Sequence, residues 1–313
     1  MRLFPLLLLL AFALPASADS LTLEIGLPQR TSFGSAVAFS PDGKTLFTTC
    51  SDTTHLWETA TWNMRAAVPY CARSFALARD GHVVAATSSW YDPVIRVFSA
   101  STGELRNQFK SDVQVHEAQV LSPDGKLLAL GRYQGLWLYD VCSGKQFPGS
   151  ARFKCAVDSL AFCSDGKLLA IGDQLGEIVL WDVAAAKEIV TLDACQKRVY
   201  SLAYAADAAM LASVGGDNSI RLWDVKQRKQ RLRIPVQVPV DAYFVAITRD
   251  GKRIASVSTK GTVKLWDAGD GRQLTTVSHG QRGFSIAFSP DGKRLAVRFE
   301  TSVKVWKLVN GGR

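Results

Sequence analysis

Four histidines (His55, His82, His116, His279) and six cysteines are the side chains of this 313-residue chain best suited to metal or nucleophilic chemistry, and their spacing suits neither. No histidine stands in an HExxH spacing, and the cysteines include no CxxC pair; the nearest two are Cys155 and Cys163. There is no glycine-rich phosphate loop and no nucleophile elbow. No catalytic, cofactor-binding or metal-binding residue is therefore expected. Cations are placed more regularly. Arg30, Arg73, Lys154, Lys197 with Arg198, and Arg282 each precede a short apolar segment. Such a set would attract an acidic peptide, a glycan or another anionic group. Tyr243 takes the same place in a further segment, and Trp90 and Tyr91 are also candidate anchors, because Trp, Tyr and Arg dominate binding hot spots. The predicted binding rim is Arg30, Arg73, Lys154, Lys197, Arg198, Tyr243 and Arg282. A second cluster, Lys226-Gln-Arg-Lys-Gln-Arg-Leu-Arg233, packs five cations into eight residues.

The elements that position these residues recur. Seven segments read as an apolar strand, a turn resembling Ser-Pro-Asp-Gly-Lys, and a second apolar strand. The turn aspartates Asp42, Asp80, Asp124, Asp165, Asp207, Asp250 and Asp291 are spaced by 38 to 44 residues. An aromatic follows each turn (Trp57, Phe98, Tyr139, Trp181, Trp223, Trp266, Trp306), at spacings of 40 to 43. In the fifth repeat, strands are predicted at 200–204, 210–214, 219–223 and 230–234, joined by tight turns; no segment shows a sustained helical period. Proline presets φ in the turn, aspartate caps the local backbone and glycine takes a positive φ. A four-stranded sheet this small cannot bury both faces alone, whereas stacking seven radially covers each face with the next.

Residues 1–18 read as a signal peptide. Arg2 supplies a positive start, Leu3 to Leu14 an apolar stretch, and Ala16-Ser17-Ala18 a cleavage site before Asp19. No later segment is long and apolar enough to span a membrane. Residues 19–313 then form the repeat domain. Without Arg2 the net charge of +9 falls to +8, which favours acidic partners. Six cysteines fit an oxidising compartment, and short loops without an Asn-x-Ser/Thr sequon favour a bacterial periplasm over other secreted locations.

Trp181-Asp182, Trp223-Asp224 and Trp266-Asp267 are WD dipeptides; Trp57-Glu58, Tyr139-Asp140, Trp306-Lys307 and Phe98-Ser99 are degenerate versions. With Ser40-Pro-Asp-Gly43, Ser122-Pro-Asp-Gly125 and Ser289-Pro-Asp-Gly292, the chain resembles the WD-repeat β-propellers along its whole predicted domain. The resemblance implies an all-β, seven-bladed β-propeller of four-stranded antiparallel blades. It also implies a ring closed by Leu21–Ile25, since the chain after Trp306 is too short for a good fourth strand. The family's Gly-His before the inner strand is nearly absent, with only Ser278-His279 close to it, so its hydrogen-bonded His, Ser/Thr, Asp and Trp set is incomplete. Packing is expected to hold the fold without it.

The blade arrangement sorts the cysteines by face and suggests Cys50–Cys71, Cys142–Cys163 and Cys155–Cys195 as disulfides. WD-repeat propellers resemble rigid platforms that bind proteins or peptides on the top face. The expected function is therefore a non-catalytic scaffold in an exported compartment, holding a protein or peptide of acidic character on a basic top face, with no cofactor. The competing reading is an exported propeller enzyme, a lactonase-like hydrolase or a redox enzyme, with a site on the central axis. The inner strands Val37-Ala-Phe39, Leu160-Ala-Phe162 and Ile286-Ala-Phe288 are small and apolar, which disfavours it. The cluster at 226–233 would lie on the outermost strand of the fifth blade. It would protect that edge, or meet an anionic envelope surface; nucleic acid is not expected behind an export signal.

Overall fold

The computed structural model describes residues 19–309 apart from 29–35, 51–52, 70–73, 88–92, 112–117, 134, 149–150, 154, 194–196, 207–208 and 237–242. The predicted signal peptide, residues 1–18, lies outside the described residues. Seven four-stranded sheets follow one another around an axis. Blade 1 is Val37–Phe39, Thr45–Cys50, Thr53–Glu58 and Met64–Pro69, and blades 2 to 6 repeat that order. The strands predicted in the fifth repeat are present, each reaching a residue or so further: Val199–Ala205, Met210–Gly215, Ser219–Asp224 and Lys229–Pro235.

The last blade takes Gly283–Phe288, Arg294–Phe299 and Ser302–Val309 from one end of the chain and Ser20–Pro28 from the other. The closing strand is therefore the predicted one, lengthened at both ends. Its register runs from Ser20 opposite Val309 to Pro28 opposite Ser302, with a bulge between Leu23 and Ile25. The bulge explains why alternation alone misplaces its side chains. Leu21 packs into the seam between blades 6 and 7, whereas Ile25 and Leu27 face the seam between blades 7 and 1. Blades 1, 2, 4, 5 and 6 carry the same irregularity beside their aromatic landmark. An extra residue re-aims the chain there. The Glu24 carboxylate sits at the bulge of the closing strand, bonded to Arg294 Nε at 2.9 Å and Nη2 at 3.1 Å.

The core is divided into seven apolar clusters, each straddling two consecutive blades. The repeated aromatic is the wedge: Trp223 packs against blade 4, Trp266 against blade 5 and Trp306 against blade 6. Burying such a ring is worth about 2–3 kcal/mol. Neighbouring turns also meet around the ring. Asp80 N donates to Pro123 O at 2.9 Å. Gly81 has φ +77, and a Cβ there would lie 2.9 Å from Pro41.

The incomplete hydrogen-bonded set survives as a pair. Trp57 Nε1 donates to Thr48 Oγ1 at 2.9 Å, Trp223 Nε1 to Ser213 Oγ at 2.9 Å, and Trp266 Nε1 to Ser256 Oγ at 3.0 Å. In blade 4 the corresponding position is Ile171, two residues beyond the partner of Trp181, and the buried Trp181 indole has no partner among the described residues. Ser213→Ala is expected to reproduce that state in blade 5. It should cost about 1–3 kcal/mol, the desolvation penalty of a buried N–H. Thermal melting checks this; an unchanged Tm would mean that ring packing alone holds the blade.

Candidate binding face

The inner strands surround a channel with two mouths. At the mouth where they end, the cavity measures about 1170 Å³ and is rimmed by the repeated turns, including Pro41, Pro123 and Pro290. The acids there are committed to the backbone. Asp42 Oδ1 accepts from Ser40 Oγ at 2.6 Å and Lys44 N at 3.0 Å. Those bonds hold its carboxyl below the ordinary carboxylate range. Blade 4 repeats the arrangement with a thiol. Cys163 Sγ donates to Asp165 Oδ1 at 2.6 Å and accepts from Leu168 N at 3.0 Å.

That substitution corrects one predicted disulfide. Cys142 and Cys163 are both free thiols, because Cys163 is buried as the stand-in for a turn serine while Cys142 is exposed on another turn. Burial pushes the Cys163 thiol up. Cys155 donates to Asp173 Oδ2 at 3.2 Å, and burial with that neighbour pushes it up to about 11. Cys50 ends its strand buried. The expected partners of Cys50 and Cys155, namely Cys71 and Cys195, lie outside the described residues.

The mouth where the inner strands begin, the top, is a cavity of about 420 Å³ whose walls differ. On one side stand aromatics of three consecutive blades. Tyr200 stacks on Tyr243 with centroids 4.2 Å apart and planes 16° from parallel. Tyr243 also leans on Phe244 at 5.7 Å, and the Arg282 guanidinium lies 5.3 Å from the Phe284 ring. On the other side the wall is polar. Ser159 Oγ and both amide atoms of Gln119 are buried without a partner among the described residues. Asp158, only 3% exposed at its side chain, is clasped by Arg198 through Nε and through Nη2 at 2.6 Å.

Four of the seven predicted rim residues are described. Lys197 and Arg282 are exposed, and Tyr243 is half-buried in the aromatic stack. Arg198 differs from the expectation: its charge is largely spent on Asp158. Arg30, Arg73 and Lys154 lie outside the described residues, as do Trp90 and Tyr91. Asp158, Tyr200 and Phe284 were missed. A signal was available: each of Asp158, Tyr200, Tyr243 and Phe284 stands seven residues before the turn aspartate of its repeat. Among the described residues no group of three or more His, Cys, Asp or Glu is arranged to hold a metal ion. Among them, too, no helix is long and apolar enough to cross a membrane.

Seven antiparallel four-stranded blades around an open channel define a seven-bladed β-propeller. Residues 35–58, 142–182, 186–224 and 239–267 match the WD domain, G-beta repeat family. The fold is a seven-bladed β-propeller and the matched segments are WD40-type repeats; proteins built of such repeats are typically non-catalytic and protein-binding. It is 34% identical over 110 residues to the target of rapamycin complex subunit wat1 of Schizosaccharomyces pombe, covering 33% of this chain and 34% of that protein. It is 26% identical over 157 residues to apoptotic protease-activating factor 1 of Rattus norvegicus, covering 47% and 12%. It is 27% identical over 106 residues to the human U3 small nucleolar RNA-associated protein 4 homolog, covering 30% and 15%. The chain thus spans about a third or less of each relative's length.

Proposed function

We propose that this propeller is a non-catalytic scaffold that holds an acidic protein or peptide segment on its top face, in an exported and periplasmic compartment. The observation that carries the reading is the top mouth itself. The Tyr200–Tyr243 stack and Phe284 offer rigid apolar area, while exposed Lys197 and Arg282 flank it with positive charge. Aromatic anchors ringed by cations suit a segment that carries carboxylates around an apolar or planar side chain. The pairing of Asp158 with Arg198 cancels a buried acid on the adjoining blade that would repel such a segment. The relative that is by name a complex subunit fits a scaffold role. Export is supported by Arg2, the apolar stretch and Ala16-Ser17-Ala18 before Asp19.

The test is amine-directed crosslinking in the native host followed by mass spectrometry, since Lys197 is exposed at the rim. The expected product joins Lys197 to an acidic segment of one envelope protein. A stoichiometric metal in the purified chain, together with turnover of a small substrate and no crosslinked partner, would replace the scaffold by an enzyme.

A further inference from the structure

The seam where the two ends of the chain meet holds a side chain that the scaffold reading leaves unused. Arg298, on the second strand of blade 7, is 0% exposed. It stands seven residues after the turn aspartate of its repeat. The same place in the other six blades holds Thr49, Thr87, Gly131, Gly172, Val214 and Val257. Small or β-branched residues fill that position elsewhere, so the packing of a blade does not call for an arginine.

Its setting is apolar. Arg298 lies on the strand face of Ala296, which lines the seam between blades 7 and 1, whereas Val297 and Phe299 face blade 6. Its cross-strand partners are Val303, of the same seam, and Ser285, whose Oγ accepts from Val37 N of blade 1 at 3.3 Å. Nη1 is spent on the backbone of the following turn. It donates to Phe299 O and, at 3.4 Å, to Glu300 O and Ser302 O. Nε and Nη2 are buried with no partner among the described residues. Burial pulls the guanidinium below the ordinary arginine pKa, opposed by Cys50 across the seam rather than by a carboxylate. An arginine remains a cation at neutral pH even so. The Nε–Nη2 edge is used twice elsewhere in the ring: Arg198 presents it to both oxygens of Asp158, and Arg294 to both oxygens of Glu24. Two donors side by side match the two oxygens of one oxyanion. A buried cation without a counter-charge costs far more than a buried neutral group, and here it persists where Gly, Thr or Val would serve.

We infer that the Nε–Nη2 edge of Arg298 is a binding site for a small monovalent oxyanion of carboxylate geometry, such as formate or bicarbonate, which completes the seam between the last blade and the first. Full burial puts the edge beyond the reach of another macromolecule's side chains, so the ligand is small. One guanidinium neutralises one negative charge. A divalent sulfate or phosphate would carry unbalanced charge into an apolar seam. A halide offers a single centre to two parallel donors, where a carboxylate offers an oxygen to each. Because the seam exists only in the closed ring, the anion binds the folded chain and stabilises ring closure.

The probe is sodium formate, exchanged for sodium chloride at constant ionic strength while the full chain is melted. The expected result is a Tm that rises by roughly 2–4 °C for each tenfold of formate above its Kd. Arg298→Met removes the fork and the buried charge together. It should melt no lower than the parent chain in chloride and show no response to formate. Arg298→Lys keeps the charge and loses the fork, and should lose the response as well, so a methionine variant that fails to fold leaves the test intact. Equal slopes in the parent chain and the variants would overturn the proposal, because formate would then act as a general salt. A parent chain indifferent to formate would also overturn it. A fall in Tm on Cys50→Ser, or on Asp52→Asn outside the described residues, would in that case assign the counter-charge to the chain itself.

Discussion

A chain that begins at Gln29 rather than at Asp19 is expected to lose its cooperative thermal transition and to aggregate. Removing Ser20–Pro28 takes away eight registered pairs with Ser302–Val309. Each lost ladder bond costs about 1 kcal/mol. Leu27, 3% exposed in the seam between blades 7 and 1, is worth about 1.5–3 kcal/mol more. The total approaches the whole net stability of an ordinary domain, about 5–15 kcal/mol. It also uncovers a sheet edge. Adding a synthetic peptide of residues 19–28 should restore part of the transition by strand addition. A truncated chain that melts within a few degrees of the longer one would refute the idea that ring closure governs stability.

The same closure has a pH signature. Burial alone would raise the Glu24 carboxyl, but its bonds to Arg294 and Trp62 and the charge of Lys307 hold it below its ordinary value of 4.5. A folded-state value below the unfolded one gives stability that is complete above about 4.5 and drains away as pH falls through the lowered folded value. Glu24→Gln should therefore lower Tm at neutral pH and converge with the parent chain in acid. A constant difference down to the lowest pH would assign the loss to packing instead.

The second large effect is expected at the top mouth. Tyr200→Ala with Tyr243→Ala removes a parallel stack with a 4.2 Å separation. The double variant should lose about 2 kcal/mol or more of affinity for the crosslinked segment, as truncation of aromatic hot spots does. Lys197→Glu should act differently. It lies exposed on the rim, so it should slow association and steepen the penalty at low salt, with dissociation little changed. Surface plasmon resonance separates the two behaviours. Undiminished binding by the tyrosine variant, with its Tm intact, would move the partner site off this face.

Much of this was legible because repetition averages out local noise. Turn aspartates and aromatic wedges that keep one period can satisfy their burial only in a ring, so blade number, strand order and the closing role of the N-terminal segment follow from residue order. What residue order left open depends on contacts between distant blades. Whether Arg198 is a free cation turns on Asp158, a residue of the preceding blade 40 positions away. Whether Tyr243 stands alone turns on Tyr200, which meets it only when blades 5 and 6 stack. Cys163 looked available for a disulfide until its turn showed it filling the place of a serine. Periodicity states how each blade is built, because backbone pairing and apolar burial are local and repeated. Which charges stay free and which rings meet is decided across the seams, where one blade's side chains complete another's, and only the closed ring brings those partners together.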